Sequence, residues 1–185
     1  SDVYKRQGQD LEKSMNLPTI GMIPQLGDLQ DVSKYLIEKP TSAYAESLRA
    51  VRTAIQFSNP DQPPQVIMVT SSVPQEGKSQ FVGSLGQVLA QAGHKVLVID
   101  CDLRRPRQVS NFDLELKHTL VDVLTGNTPV SKAVLKHKSG LELLGAHANT
   151  PNSQDLLGSQ KMRELLTKLK KSYEYIILDT PPVLA

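Results

Sequence analysis

The sequence has a single cysteine, almost no excess of one charge and no long apolar run. Cys101 alone cannot form an internal disulfide, which fits a reducing compartment. The 21 basic and 19 acidic residues give a formal net charge of +2 without long blocks of one sign, so a general electrostatic grip on nucleic acid is not expected. Because no apolar run reaches the roughly 18 residues of a bilayer-spanning helix and no signal peptide is visible, we expect this fragment itself to be soluble.

The 185 residues, 39% of them hydrophobic and 22% charged, suffice for one globular domain with a substantial core. Residues 1–8 contain "SDVYKRQ", which has no helical or strand period, so we expect a non-native, adapter-derived tail there. Residues 9–40 read as a lead-in segment and residues 41–185 as the domain. The apolar end "LDTPPVLA" follows a predicted strand directly, so we expect the C-terminal part of the domain to be missing.

Strand and helix patterns alternate along most of the chain. The predicted strands are "QVIMVTS", "KVLVID", "LELLGA" and "YEYIILDTPP". The predicted helices cover residues 42–57, 78–92, 119–126, 130–137 and 152–171. Such alternation predicts right-handed crossovers and a mostly parallel sheet, with ligands at the carboxyl ends of the strands.

The stretch "VTSSVPQEGKSQ" lies between a predicted strand and a predicted helix, as a phosphate-binding P-loop does. Ser72 stands where the usual loop has its first glycine, which is tolerable if its φ is not positive. The alternative is an ordinary helix start with Ser79 on the surface. The candidate nucleotide-binding residues are Ser72, Val73, Pro74, Gln75, Glu76, Gly77, Lys78, Ser79 and Gln80.

Two further motifs place acidic residues at strand ends. In "VLVIDCDLRRP", Asp100 and Asp102 point the same way if the chain stays extended, and they could hold hydrated Mg²⁺ and accept a proton. The alternative for Asp100 is a turn cap. In "YIILDT", Asp179 has the form of a Walker B carboxylate that orients Mg²⁺. The three motifs together predict an α/β fold, a P-loop NTPase-like three-layer sandwich with a mostly parallel sheet.

Three arginines follow the second motif: Arg104, Arg105 and Arg107. They either neutralise phosphate or acidic groups, or form a solvated basic turn. Cys101, between the two aspartates, is expected to point to the opposite face and to be a small buried residue.

The residues resemble one family closely, the bacterial tyrosine kinases that regulate capsule and exopolysaccharide export. That family has Walker A, A′ and B motifs of the forms "PGEGKST", "IDADLRRP" and "IIDTPP", which stand here as "PQEGKSQ", "IDCDLRRP" and "ILDTPP". The likeness also covers "LVDVLTG", "PNSQDLLGSQKMRELL" and the lead-in "LPTIGMIP".

The resemblance implies an ATP- and Mg²⁺-dependent, autophosphorylating protein-tyrosine kinase. Lys78 would bind the β- and γ-phosphates, and Ser79, Asp102 and Asp179 would serve the metal. Asp100 and Asp102 would serve the incoming tyrosine hydroxyl, with Asp100 the candidate base.

The resemblance also implies partners and a location. Glu46, Arg49 and Arg52 match the family's Glu-x-x-Arg-x-x-Arg helix for subunit association, so a homo-oligomeric ring phosphorylating across subunits is expected. The alternative is an exposed helix with an internal Glu46–Arg49 pair. Other implied partners are an upstream transmembrane chain-length-determinant region, an opposing tyrosine phosphatase and a C-terminal tyrosine cluster, which this chain lacks. The implied location is the cytoplasmic face of the bacterial inner membrane.

Two residues depart from the family pattern. Gln75 replaces a glycine and would be strained by roughly 1 kcal/mol or more if its φ is positive. Gln80 replaces a threonine that supports the α-phosphate. Two of the tyrosines, Tyr173 and Tyr175, flank a predicted inner strand and are expected to be packed rather than phosphorylated.

Two other functions compete with the kinase. One is an ATPase switch of the partitioning or septum-site type, but those proteins carry an extra lysine where this chain has Val73. The other is a non-catalytic nucleotide-sensing subunit that assembles through the helix of Glu46 and Arg52. The departures from the family pattern at Gln75 and Gln80 suggest this hypothesis.

Overall fold

The computed structural model describes residues 12–14, 16–27 and 31–184, so the predicted tail at residues 1–8 lies outside the described residues. Its strands are β1 (Val66–Val69), β2 (Val96–Asp100), β3 (Val134–Lys136), β4 (Glu142–Leu144) and β5 (Tyr175–Asp179). They form one sheet in the order β1-β5-β2-β4-β3. All neighbours pair in parallel except β3, which is antiparallel to β4. The predicted mostly parallel sheet is confirmed.

The helices that the structure describes in full are α1 (Val32–Glu38), α2 (Ala43–Phe57), α3 (Lys78–Gln91), α4 (Gln108–Asn111), α5 (Leu120–Leu124), α6 (Val130–Ala133), α7 (Ser153–Leu157) and α8 (Gln160–Leu169). Hydroxyl caps begin three of them. The side chains of Ser42, Thr119 and Ser159 accept hydrogen bonds from the first turns of α2, α5 and α8. Within the described part of the chain, no helix has the length and apolar character needed to cross a bilayer.

The core lies on both faces of the sheet, which makes the three layers. In β2, Val96 and Val98 face a cluster that includes residues of α1, α2 and α3, whereas Leu97 and Ile99 face a second cluster with α5 and α8. This is the two-residue alternation of a strand that is covered on both sides. Cys101 is buried in the second cluster as expected, and burial raises the pKa of its thiol to about 12.

Part of the lead-in segment belongs to the same core. The side chain of Asp31 accepts a hydrogen bond from the backbone N–H of Lys34 and begins α1. Leu36 of this helix is 1% exposed, and the side-chain amide of Gln87 on α3 donates to the carbonyl of Ser33 at 2.9 Å. The P-loop helix therefore contacts a segment that precedes residue 41.

Two predicted helices differ from the structure. The helix expected at residues 130–137 ends at Ala133, and β3 follows, because Val134 to Lys136 pair with β4 instead of continuing the turn. The helix expected at residues 152–171 is divided between α7 and α8. Ser159 between them has extended backbone angles and caps α8, which interrupts the helical hydrogen bonds.

The sheet register determines where the three motifs meet. Val69 at the end of β1 is opposite Asp179 at the end of β5, and Asp179 is opposite Asp100 at the end of β2. Because these three strands are parallel neighbours, the loop after β1 and the acids of β2 and β5 emerge at the same edge of the sheet.

Candidate nucleotide-binding site

The loop between β1 and α3 turns in the way a P-loop requires. Gly77 has a φ of 82° and caps α3 without a side-chain hydrogen bond, which leaves the first N–H groups of the helix available to a phosphate. Ser72 is not among the residues with positive φ, which is the condition under which serine replaces the first glycine without strain. The Glu76 carboxylate accepts hydrogen bonds from the N–H groups of Ser72 and Val73 at 2.9 and 3.2 Å, closing the loop on itself.

Gln75 has a left-handed backbone conformation, at the position where the kinase family that the sequence resembles has a glycine. Its φ is 67°, in the left-handed region where a side chain costs about 1 to 2 kcal/mol. The strain expected from this substitution is therefore present in the loop.

Lys78, the first residue of α3, is held among acids. Its ammonium donates to Asp179 and lies 3.9 Å from Asp102 Oδ2 and 3.4 Å from the Ser79 hydroxyl. The Lys78 side chain is only 6% exposed. The structure thus brings together the lysine and two of the three strand-end acids that the sequence singled out.

Asp100 is bound entirely by backbone groups. One of its oxygens accepts from the N–H of Asp102 at 3.2 Å, and the other from those of Arg107 and Gln108 at 2.8 and 2.9 Å. Burial raises the pKa of this carboxyl to about 7, the N–H of Gln108 opposes the rise, and the nearby charge of Asp179 adds to it. Asp100 therefore shapes the turn after β2 and is absent from the lining of the cleft.

A cleft of about 510 Å³ opens over the loop. Its lining residues are Ser71, Pro74, Gln75, Gly77, Lys78, Ser79, Gln80, Asp102, Arg104, Arg105, Arg107, Asn111, Pro181 and Pro182. Asp102 is thus the acid of the second motif that faces the cleft. The three arginines stand on its wall, and none of them forms an ion pair with an acid of the described residues.

The donor set fits a nucleotide with its magnesium ion. The exposed loop, Lys78 and the arginines offer N–H groups and positive charge to phosphates. No group of three or more His, Cys, Asp or Glu side chains among the described residues could hold a metal. That fits Mg²⁺, which usually takes one or two protein carboxylates and completes its shell with phosphate oxygens and water. Ser79, Asp102 and Asp179 are the candidates on this chain.

The sequence reasoning missed one residue of the site, Gln108. It is fully buried, and its side-chain amide donates to Asp179 Oδ2 at 2.6 Å and to the Ser79 carbonyl at 2.9 Å. Its position eight residues after Asp100 carries no local signal, because only the folded turn brings it back to the strand ends.

The proposed assembly helix is α2. Glu46 is exposed and bonds the Arg49 guanidinium at 2.5 Å, and Arg49 also donates to the Pro40 carbonyl at 2.5 Å. The Nε of Arg52 is buried and has no hydrogen-bond partner among the described residues. The structure therefore contains the internal Glu46–Arg49 ion pair, which was the alternative to a role in subunit assembly.

The two tyrosines at and just before the start of β5 are packed as predicted. Tyr173 and Tyr175 are 8% and 7% exposed. The hydroxyl of Tyr173 donates to Glu142, and that of Tyr175 accepts from Gln56 at 3.3 Å.

Comparison with known proteins gives concordant matches. The family described as AAA domain matches residues 64–185. Tyrosine-protein kinase YwqD of Bacillus subtilis (strain 168) is 38% identical over 148 residues, covering 80% of this chain and 62% of YwqD. Tyrosine-protein kinase etk of Escherichia coli (strain K12) is 34% identical over 151 residues, covering 80% of this chain and 21% of that protein. The chain thus spans less than two thirds of either relative.

Solved structures agree with the fold. The chimerical protein CapA2B2 matches with a TM-score of 0.86 and 32% identity over 95% of this chain and 76% of that one. The kinase domain of the Escherichia coli tyrosine kinase ETK matches with 0.84 and 28% identity over 94% and 72%. The septum site-determining protein MinD from Pyrococcus horikoshii, solved with Mg-ADP, reaches only 0.57 at 24% identity, a likeness of fold alone. With its P-loop, its two acidic strand ends and these relatives, the chain belongs to the AAA-domain family and, within it, to the P-loop domains of the bacterial tyrosine kinases.

Proposed function

We propose that this chain is the catalytic domain of an ATP- and Mg²⁺-dependent protein-tyrosine kinase that autophosphorylates and regulates capsular and exopolysaccharide biosynthesis and export. The observation that carries the proposal is the meeting of Lys78 with two acids, Asp102, which lines the cleft over the P-loop beside it, and Asp179, which is fully buried and bonded to the Lys78 ammonium. The relatives at 38% and 34% identity are both named tyrosine-protein kinases, which favours a kinase over a septum-site ATPase switch.

Each side chain has a role that follows from its place. The N–H groups at the start of α3 and the Lys78 ammonium bind the β- and γ-phosphates, and the cleft arginines neutralise further negative charge. The Ser79 hydroxyl, Asp102 and Asp179 would hold the magnesium ion, which would supply positive charge to screen and align the phosphates.

The transfer itself requires little covalent participation by the protein. The tyrosine hydroxyl oxygen forms a bond to the γ-phosphorus as the bond from that phosphorus to the bridging oxygen of ADP breaks. The phenolic proton passes to a carboxylate. Asp102 faces the cleft and Asp100 does not, so the geometry favours Asp102 as the acceptor, while the assignment to Asp100 stays a prediction.

The partners that we propose follow from the same family. The acceptor is a C-terminal tyrosine cluster on a neighbouring subunit of a homo-oligomeric ring, with Glu46, Arg49 and Arg52 of α2 at the interface. A transmembrane chain-length-determinant region is fused or bound upstream, at the cytoplasmic face of the inner membrane, and a tyrosine phosphatase reverses the reaction. No nucleic acid partner is proposed, since the formal net charge is only +2.

The test compares the full-length protein with its Lys78→Met variant in labelled ATP and Mg²⁺. We expect phosphotyrosine in the wild type and at least about a hundredfold less in the variant, because the ammonium at the phosphates is lost. Phosphate release without phosphotyrosine would point to the ATPase switch. Tight nucleotide binding with neither product would point to the non-catalytic subunit, which the strain at Gln75 favours.

A second arm of the experiment examines assembly. Full-length Lys78→Met protein mixed with wild type should gain phosphotyrosine if phosphorylation crosses subunits, and Arg52→Ala in both partners should prevent it. Labelling confined to the wild-type chain would contradict phosphorylation across a ring.

A further inference from the structure

Gln108 contacts two of the three motifs through one side chain. Its Nε2 donates to Asp179 Oδ2 at the end of β5 and to the carbonyl of Ser79 in the first turn of α3. The residue is fully buried, as is Asp179. One amide group therefore links the Walker B carboxylate to the residue after the P-loop lysine.

The backbone of the same residue contacts the third motif. The N–H of Gln108 donates to Asp100 Oδ2 at 2.9 Å, beside the N–H of Arg107 at 2.8 Å. Asp100 thus fixes the start of α4 and, with it, the point from which the Gln108 side chain extends. All three motifs converge on this residue.

The orientation of the amide is determined by its surroundings. An amide nitrogen carries two hydrogens, and here both face acceptors, a carboxylate and a carbonyl. Reversing the amide would place Oε1 against those two acceptors, which is unfavourable. The Gln108 Oε1 instead lies near Gly83, 3.1 Å from the position that a β-carbon there would take, and is buried without a partner in the described part of the chain.

The two oxygens of Asp179 consequently have different neighbours. Oδ1 accepts from the Lys78 ammonium and Oδ2 from Gln108. Hydrogen bonds of this kind fix the rotamer of a carboxylate and leave only its remaining lone pairs for water or metal.

We propose that Gln108 is a positioning residue that fixes the Asp179 carboxylate relative to Ser79 and so determines how strongly Mg²⁺ enhances nucleotide binding. This role rests on the proposed function, in which Ser79 and Asp179 serve the metal. Gln108, like Asp179, is fully buried and does not line the cleft, so it acts through the Asp179 carboxylate and the Ser79 carbonyl rather than by contact with the nucleotide.

The test measures ADP binding to the full-length protein by calorimetry, with Mg²⁺ and with a chelator. In Gln108→Met, which keeps the length of the side chain and removes both donors, we expect the enhancement by Mg²⁺ to fall about tenfold or more. The affinity for ADP in chelator should stay within about threefold of wild type, because the side chains that line the cleft are unchanged.

Gln87→Met is the matched control. Gln87 is also fully buried, donates to a single carbonyl and has an unpartnered Oε1, but it contacts α1 rather than the acids. We expect it to lower stability in a similar way and to leave the Mg²⁺ enhancement unchanged. An equal loss of enhancement in both variants would show a general effect of core damage and overturn the proposal.

A second variant guards against failure to fold. Gln108→Glu preserves size but faces the Asp179 carboxylate with a second one, so it too should lose the Mg²⁺ enhancement. Wild-type enhancement in either Gln108 variant overturns the proposal, and so does failure of both to fold beside a folded Gln87→Met, since the role would then be structural. A wild-type protein that binds ADP equally with and without Mg²⁺ would instead count against the proposed function itself.

Discussion

The phosphate loop and the acidic strand ends meet at the same edge of the sheet but differ in burial and hydrogen bonding. Residues 72–77 of the loop are exposed, and their shape depends on two left-handed residues and one glutamate. Asp100, Asp102 and Asp179 are at most 7% exposed and are held by backbone N–H groups, Lys78 and Gln108. A ligand can therefore change the conformation of the loop at a small cost in free energy, whereas the buried carboxylates keep their positions.

Of the changes considered, removing the charge of Asp179 should lower the free energy of unfolding most. In Asp179→Asn the Lys78 ammonium, 6% exposed, loses its direct partner, and we expect the free energy of unfolding in urea to fall by about 3 kcal/mol. Asp61→Asn, on an exposed loop, is the control and should change it by less than about 0.5 kcal/mol. A loss below about 1 kcal/mol for Asp179→Asn would show that the acids are not fixed by this pair.

Gly83→Ala tests the packing behind Gln108. The added β-carbon would lie 2.8 Å from Phe112 Cε2 and 3.1 Å from Gln108 Oε1, so one of them must move. We expect a loss of about 1 to 2 kcal/mol in stability, because overpacking outweighs the gain in helix propensity, together with a weaker Mg²⁺ enhancement of ADP binding.

The control for this change is Gly86→Ala on the same helix. Its β-carbon would meet Val98 Cγ2 at 2.8 Å and Leu141 Cδ1 at 3.0 Å, away from Gln108. We expect Gly86→Ala to be destabilised to a similar degree with an unchanged Mg²⁺ enhancement, which would show that the weaker enhancement in Gly83→Ala depends on Gln108. If both variants weakened the Mg²⁺ enhancement of ADP binding equally, the effect would come from general damage to the core and not from contact with Gln108.

The smallest effect is expected in the loop. Gln75→Gly should raise the free energy of unfolding by about 0.5 kcal/mol, because the release of strain at a φ of 67° exceeds the added chain entropy of glycine. Gln75→Ala keeps the β-carbon and should give no gain, which separates backbone strain from the loss of the side chain. Destabilisation by glycine in urea titrations would mean that the side chain, not the backbone, maintains the loop.

Local patterns predicted the motifs and their meeting point. Lys78 and Asp179 are 101 residues apart, yet the alternation of strands and helices placed both at one sheet edge, because carboxyl ends of parallel neighbours coincide. At Gln75 the sequence predicted strain only on the condition of a positive φ, and the structure meets that condition.

What escaped prediction depends on tertiary partners. Gln108 has a role only because Asp100 bends the chain after β2; a turn was among the alternatives for "RRPRQ", but nothing in those residues indicates that it returns Gln108 to the strand ends. The short β3 exists through its pairing with β4, which overrode a weak helical period. The start of α1 did have a local signal, Asp31 as a cap before Val32 and Leu36, but the prolines nearby concealed it.

The strand order bears on how the protein is made. Of the strands that the structure describes, β5 is the last to leave the ribosome, yet it lies between β1 and β2. Until Tyr175 to Asp179 have emerged, the two earlier strands lack the neighbour that joins them, over a separation of 110 residues between Val66 and Ile176. Contacts of such long range close slowly, so a nascent chain passes through a stage in which Lys78 is already synthesised but Asp179 is not, and the cleft is completed only after β5 has emerged.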